Sequence, residues 1–180
     1  MAPHSSRRDF LKTSTAIGAA VFVNAKPAFT QEKSPNERVR YACIGVDGKG
    51  RSDSGDAAKH GDVVAICDVD DSKLQKAARN PQFKKPETFH DYREMLEKMD
   101  GKIDAVTVST PDHHHYLAAA SAMKRGLACF CQKPLTHSVW EARELQNIAR
   151  EMNVPTMMGN QGTSYGGLRK AAALLQSGHL

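Results

Sequence analysis

Short apolar runs separated by longer amphipathic stretches constrain this chain more than any single residue does. Residues 39–45, 63–67, 103–109, 127–131 and 154–158 read as buried strands, the second and third rich in β-branched side chains, and Thr88-Phe89-His90 reads as a short additional one. Between them, helical spacing covers 51–60, 72–79, 91–99, 114–125 and 138–152, and a last helix over 166–177 stops at Gly178. In the segment 138–152, Ala142, Leu145, Ile148, Ala149 and Met152 share one face. Strands alternating with helices at this spacing build βαβ units around a parallel sheet. The expected fold class is therefore α/β, a doubly wound parallel sheet of the Rossmann type. The chain's 180 residues suffice for one such core and not for two full domains.

Charge placement removes one function class and points to another feature. The formal net charge is +5, but Arg7, Arg8, Lys12 and Lys26 against Asp9 put +3 of it in residues 1–30. The +2 left is spread without a basic run or interleaved aromatics, which argues against a nucleic-acid partner. Ser6-Arg7-Arg8-Asp9-Phe10-Leu11-Lys12 precedes a weakly apolar stretch, 13–23, and a Val23-Asn24-Ala25 cleavage site. This resembles a twin-arginine export signal over residues 1–30, followed by a polar linker over 31–37. The apolar stretch is too short for a stable membrane span. The export machinery is thus an expected partner and the periplasm, or another exported location, the expected destination. Cys43, Cys67, Cys129 and Cys131 all fall in strands without a Cys-x-x-Cys pair, so buried thiols are expected rather than a metal site or disulfides.

The first chemical motif follows the first strand: Gly45-Val46-Asp47-Gly48-Lys49-Gly50-Arg51-Ser52. A glycine turn leading into a helix N-terminus presents backbone N–H groups and the positive end of the helix dipole to a phosphate. Two readings fit. A dinucleotide fingerprint has Gly45 and Gly50 in place, with Asp47 where its second glycine belongs. A Walker A loop has the same glycines and Ser52, with Arg51 in place of its lysine. The second strand ends at Asp68, eighteen residues after Gly50, where a carboxylate suits the ribose hydroxyls of NAD and equally the magnesium side of a P-loop site. Asp70 and Asp71 follow and no arginine adjoins, which disfavours the extra phosphate of NADP.

Further on, Ser109-Thr110-Pro111-Asp112-His113-His114-His115 follows the fourth strand, Cys131-Gln132-Lys133-Pro134 the fifth, and Gly159-Asn160-Gln161-Gly162 the last. With the glycine turn and Asp68, these motifs stand in the order found in the glucose–fructose oxidoreductase, inositol dehydrogenase and MocA family, which residues 38–178 resemble. The resemblance implies an NAD(P)-binding domain over 38–162, with cofactor contacts from Gly45, Val46, Gly48, Gly50, Arg51, Asp68, Ser109, Thr110, Pro111, His115, Gln132, Lys133, Asn160 and Gln161. Lys133 matches the family lysine beside the nicotinamide and the reacting hydroxyl, where a crowded ammonium can relay a proton. His113, His114 and His115 point about 100° apart on a helix start, so they cannot converge on one metal ion. No metal is expected.

Two residues depart from the family pattern. Gln132 stands for the usual glutamate, and Asp47 brings a carboxylate toward the expected pyrophosphate, with Lys49 and Arg51 as compensating charges. The family's second, β-sheet domain is absent from this sequence, and residues 163–180 read as the start of the crossover toward it. The implied activity is hydride transfer on a sugar or polyol secondary alcohol, with NAD as cofactor in a longer form in which a homo-oligomer also fits. The alternatives are an NAD-dependent glycoside hydrolase of the same superfamily and a remnant that binds without turnover. One expectation concerns the signal alone. An ordinary secretory signal tolerates Lys at both arginine positions, whereas a guanidinium pair makes hydrogen bonds that an ammonium cannot reproduce. Residues 1–35, fused to a reporter that works in the periplasm only if exported folded, should lose export in the Arg7→Lys/Arg8→Lys double variant. Unimpaired export of that variant overturns the assignment.

Overall fold

A computed structural model describes residues 37–178; the expected signal and nearly all of the expected linker lie outside the described residues. Six parallel strands form one sheet: β1 (Val39–Ile44), β2 (Gly61–Cys67), β3 (Glu87–Phe89), β4 (Ala105–Val108), β5 (Ala128–Gln132) and β6 (Thr156–Gly159). Their order is β3-β2-β1-β4-β5-β6. The chain thus runs outward from β1 to one edge, returns to β4, and runs to the other edge, which is the doubly wound Rossmann arrangement. Every expected strand is present.

The helices are α1 (Lys49–His60), α2 (Asp71–Ala78), α3 (Tyr92–Lys98), α4 (His115–Met123), α5 (Val139–Met152) and α6 (Gly166–Gln176). Local chemistry sets their starts. The Asp70 carboxylate accepts from the Ser72 and Lys73 amides, and that of Asp91 accepts from the Arg93 amide. Ser138 and Glu141 close a reciprocal capping box on α5, which stops at Asn153 in the left-handed conformation. Two apolar layers result. Ile44, Met95, Leu96, Val106, Ala119 and Leu145 belong to the one beneath α3, α4 and α5. Cys43, Ala57, Val63, Ile66, Leu74 and Phe83 form the other, beneath α1 and α2.

Two expectations about burial need correction. Residues 154–158 read as a buried strand, yet β6 leaves Met157 66% and Met158 38% exposed. It is an edge strand paired only with β5, and α6, exposed along its whole length, does not pack back on it. Met152, on the expected inward face of α5, is exposed at its last turn, while Leu145 and Ile148 are buried as expected. Among the described residues, no helix is long and apolar enough to cross a membrane.

All four cysteines are free and buried. Desolvation pushes each thiol up to about 12. Because the thiolate is the reactive form, the native protein should give no reaction with an aromatic disulfide reagent at pH 8 over an hour. The denatured chain should react at all four positions. Rapid titration of more than one thiol in the native state would contradict this burial.

Candidate cofactor site

The site begins with two missing side chains. Gly45, just after β1, has φ +80°, and a Cβ there would lie 2.6 Å from the Ser109 carbonyl oxygen. A Cβ on Gly50 would lie 2.0 Å from the Gly45 carbonyl oxygen. Only glycine permits this approach, which draws the start of α1 against the ends of β1 and β4. Gly48, at φ +54°, has nothing within 4 Å of its would-be Cβ. No side chain caps α1, and its first turn holds no acid. The positive end of the helix therefore remains available to an anion.

The turn opens into a cleft of about 740 Å³ at the carboxyl ends of β1, β2, β3 and β4. The reversal of strand order lies between β1 and β4, where ligands of open α/β sheets bind. Gly45, Gly48, Asp68, Ser109, Thr110 and Pro111, all expected site residues, line it together. The Asp68 carboxylate accepts from the Val46 amide at 3.0 Å and the Asp70 amide at 3.1 Å, tying the end of β2 to the glycine turn. Asp47 also lines the cleft. Its carboxylate is held by the Arg51 guanidinium, which keeps its pKa below the usual range. Of the two compensating cations expected, Arg51 fills that role, while Lys49 bonds Asp53 instead.

The fold also brings in residues that the sequence reading missed. Lys73, His90, Tyr92, Arg93 and His114 line the same cleft. No arginine adjoins Asp68 in the sequence, but Arg93, at the start of α3, lines the same cleft. Its guanidinium is occupied by the Asp91 carboxylate, and Lys73 lies 3.5 Å from Asp70. The His114 ring meets Tyr92 edge-on at 5.2 Å. Burial, with His113 and Arg93 nearby, holds its pKa below the usual imidazole range.

Other expected residues stand behind the cleft or beside it. His115 is 1% exposed, and its ring nitrogens face the carbonyl oxygens of Pro134 at 2.6 Å and Thr110 at 2.8 Å. It ties two loops together and has no nitrogen left for a cofactor, which corrects its expected role. Gln132 is also buried, its Nε2 donating to Asp53 at 3.0 Å and its Oε1 accepting from the Lys133 amide at 3.1 Å. Lys133, Asn160 and Gln161 are exposed at the ends of β5 and β6, on the same edge of the sheet but outside the cleft lining. The three histidines occupy three environments: His113 exposed, His114 half-buried and His115 buried. Asp53 had a legible signal, because the buried stripe Gly50, Asp53, Ser54 and Ala57 has i, i+3, i+4, i+7 spacing with a carboxylate in its middle.

The residues present fit a dinucleotide. A cradle that a Cβ would fill faces an uncapped helix start, a carboxylate stands at the β2 end, and the buried Thr110 hydroxyl at the cleft has no protein partner. Comparison with known proteins agrees. A family described as "Oxidoreductase family, NAD-binding Rossmann fold" matches residues 39–160, and the twin-arginine translocation signal matches residues 4–23. The chain is 26% identical to an inositol 2-dehydrogenase/D-chiro-inositol 3-dehydrogenase of Lactiplantibacillus plantarum, over 61% of this chain and 31% of that protein. It is 27% identical to a glycosyl hydrolase family 109 protein of Solibacter usitatus, over 81% of this chain and 36% of that one. The fold matches the crystal structure of scyllo-inositol dehydrogenase from Lactobacillus casei with NAD(H) and scyllo-inositol. That match has a TM-score of 0.70 and 22% identity, covering 79% of this chain and 42% of that one. The chain thus spans well under half the length of these relatives.

The glycine contacts generate a direct test. Gly50→Ala should destabilise the domain by about 1–3 kcal/mol, because the added carbon meets rigid backbone. Gly162→Ala, with open space at its Cβ, should change stability by less than about 0.5 kcal/mol. Urea unfolding measures both, and equal effects would remove the steric argument.

Proposed function

The chain belongs to the oxidoreductase family with an NAD-binding Rossmann fold, and on that premise we propose that it is the cofactor domain of an exported dehydrogenase acting on a secondary alcohol of a sugar or polyol. The observation that carries this reading is the joining, in one cleft, of the glycine turn, the uncapped start of α1 and the half-buried Asp68. Residues 38–162 form the cofactor domain, and 163–180 begin the crossover to the rest of the protein. Gly48 and the start of α1 receive the pyrophosphate, Gly45 leaves room for it, the Val46 amide being held by Asp68 behind it, and Arg51 keeps the Asp47 charge from opposing it. Asp68 accepts from the adenosine ribose hydroxyls. When bound, NAD supplies the acceptor for the hydride that leaves the carbinol carbon.

The chain's own residues manage the accompanying proton and the geometry. Lys133, at the exposed end of β5, accepts the substrate hydroxyl proton at Nζ and releases it to solvent. Ser109, Thr110 and Pro111 shape the β4 side of the pocket. His115 holds that turn against the Lys133-Pro134 turn through the two carbonyls it faces. Asn160 and Gln161 close the row of strand ends. Glycoside cleavage with transient use of NAD is the second reading, favoured by the long match to the glycosyl hydrolase family 109 protein.

Cofactor choice is the first measurement. Asp68 would meet the 2′-phosphate of NADP with a like charge, and Arg93 and Lys73 are already occupied by acids. NADH should bind the purified protein at least tenfold tighter than NADPH in fluorescence titrations. Equal or tighter NADPH binding sinks the role of Asp68. For the reaction, net NADH formation with a free sugar or polyol supports the dehydrogenase. Product release from an aryl glycoside without net NADH supports the hydrolase instead.

A further inference from the structure

We infer that Asp53, on α1 and outside the cleft, is the positioning residue for the Lys133 turn, and that Gln132 is the side chain its carboxylate requires. The inference rests on the reading of Lys133 given above and extends it to Asp53, a residue with no expected role. Asp53 is 7% exposed, and its carboxylate collects three donors from three separate segments. Lys49 Nζ bonds Oδ1, while the Ser109 hydroxyl at 2.8 Å and Gln132 Nε2 at 3.0 Å bond Oδ2. One buried group therefore joins the helix of the glycine turn, the end of β4 and the end of β5.

The direction of the Gln132 amide follows from this anchor. A carboxylate only accepts, so Nε2 must face Asp53. Oε1 is then left toward the Lys133 amide, from which it accepts at 3.1 Å. The neighbouring strand makes room for the arrangement. Gly159 pairs with Gln132 across β5 and β6, and a Cβ on it would lie 2.6 Å from Gln132 Nε2. The glutamate that family resemblance leads one to expect at position 132 would set two carboxyl groups about 3 Å apart, where they cannot both be ionised and must share a proton to stay in contact. Asp53 thus explains the departure at Gln132, and through it the placement of the Lys133 backbone.

Two readouts test this on the full chain. Amide exchange followed by NMR reports Lys133 directly, with or without cofactor. Asp53→Ala should speed exchange of the Lys133 amide at least tenfold and leave that of Val106, in the central strand β4, within twofold. If that variant does not fold, Asp53→Asn keeps the volume, loses the charge and should speed the same amide severalfold. NADH affinity against pH is the second readout. Gln132→Glu should match the parent at pH 5, where a shared proton bridges the two carboxyl groups, and fall about tenfold below it by pH 8, where that proton is lost. The double variant Asp53→Asn/Gln132→Glu restores a donor opposite an acceptor and should stay within threefold of the parent at both pH values. Unchanged Lys133 exchange in the Asp53 variants, or a Gln132→Glu profile that follows the parent, overturns the inference. A parent that binds no NADH overturns the cofactor reading instead, and the exchange arm still decides the role of Asp53.

Discussion

The close approach of backbone to backbone at Gly45 and Gly50 is the contact on which the rest of the site depends. Helix α1 starts against the end of β1 only because neither residue carries a Cβ. That placement directs the helix N-terminus at the cleft and presses Gly45 against Ser109 across the β1–β4 boundary. It also carries Asp53, one turn into α1, to within hydrogen-bond reach of residues on β4 and β5. A side chain at either glycine would move the helix, and with it both the phosphate cradle and the buried carboxylate.

The electrostatics of the cleft follow a consistent pattern in which side-chain cations are already taken. Arg51 holds Asp47, Lys73 faces Asp70, and Arg93 holds Asp91. These pairs are largely exposed, and such pairs contribute little to stability. What they do is remove free charge from the walls, so that attraction for a phosphate falls to oriented backbone amides and the helix dipole. Backbone dipoles are fixed by the fold, whereas long cationic side chains must be ordered at an entropic cost when they bind. The same pairing prevents Asp47 from acting as an uncompensated anion beside the glycine turn.

Export and burial are connected through the cysteines. The twin-arginine signal carries the chain out of the cytoplasm, into a compartment where exposed thiols oxidise. Each of the four thiols sits inside the sheet layers with its ionisation suppressed, which denies oxidants the thiolate they attack. Burial is uneven elsewhere. β6 and α6 leave Met157, Leu168, Leu174 and Leu175 exposed, in contrast to the closed layers around β1, β2 and β4.

Period and local chemistry made most of the fold legible. Apolar runs bounded by polar segments mark five of the six strands, Thr88-Phe89-His90 reads as the short sixth, the caps at Asp70, Asp91 and Ser138 lie within a residue or two of the expected helix starts, and the five motifs stand in order along the chain. That Gly45, Asp68, Ser109, Thr110 and Pro111 stand at one end of the sheet is readable from the sequence, because each ends a strand or opens a turn. Periodicity does not reveal which strand lies at an edge or how far a helix stays covered, so Met157 on β6 and Met152 in the last turn of α5 read as interior and are exposed. Nor could it show that His115 faces inward, or that Arg93, separated from Asp68 by helix α2 and strand β3, returns to the same cleft. The sequence by itself determined the alternation of elements, the turn that only glycine can make and the export signal, since these depend on neighbours within a few residues. Only the tertiary structure decided that Asp53, Ser109 and Gln132 meet, because hydrogen bonds between residues 56 and 79 positions apart exist only once the sheet has set its strand order.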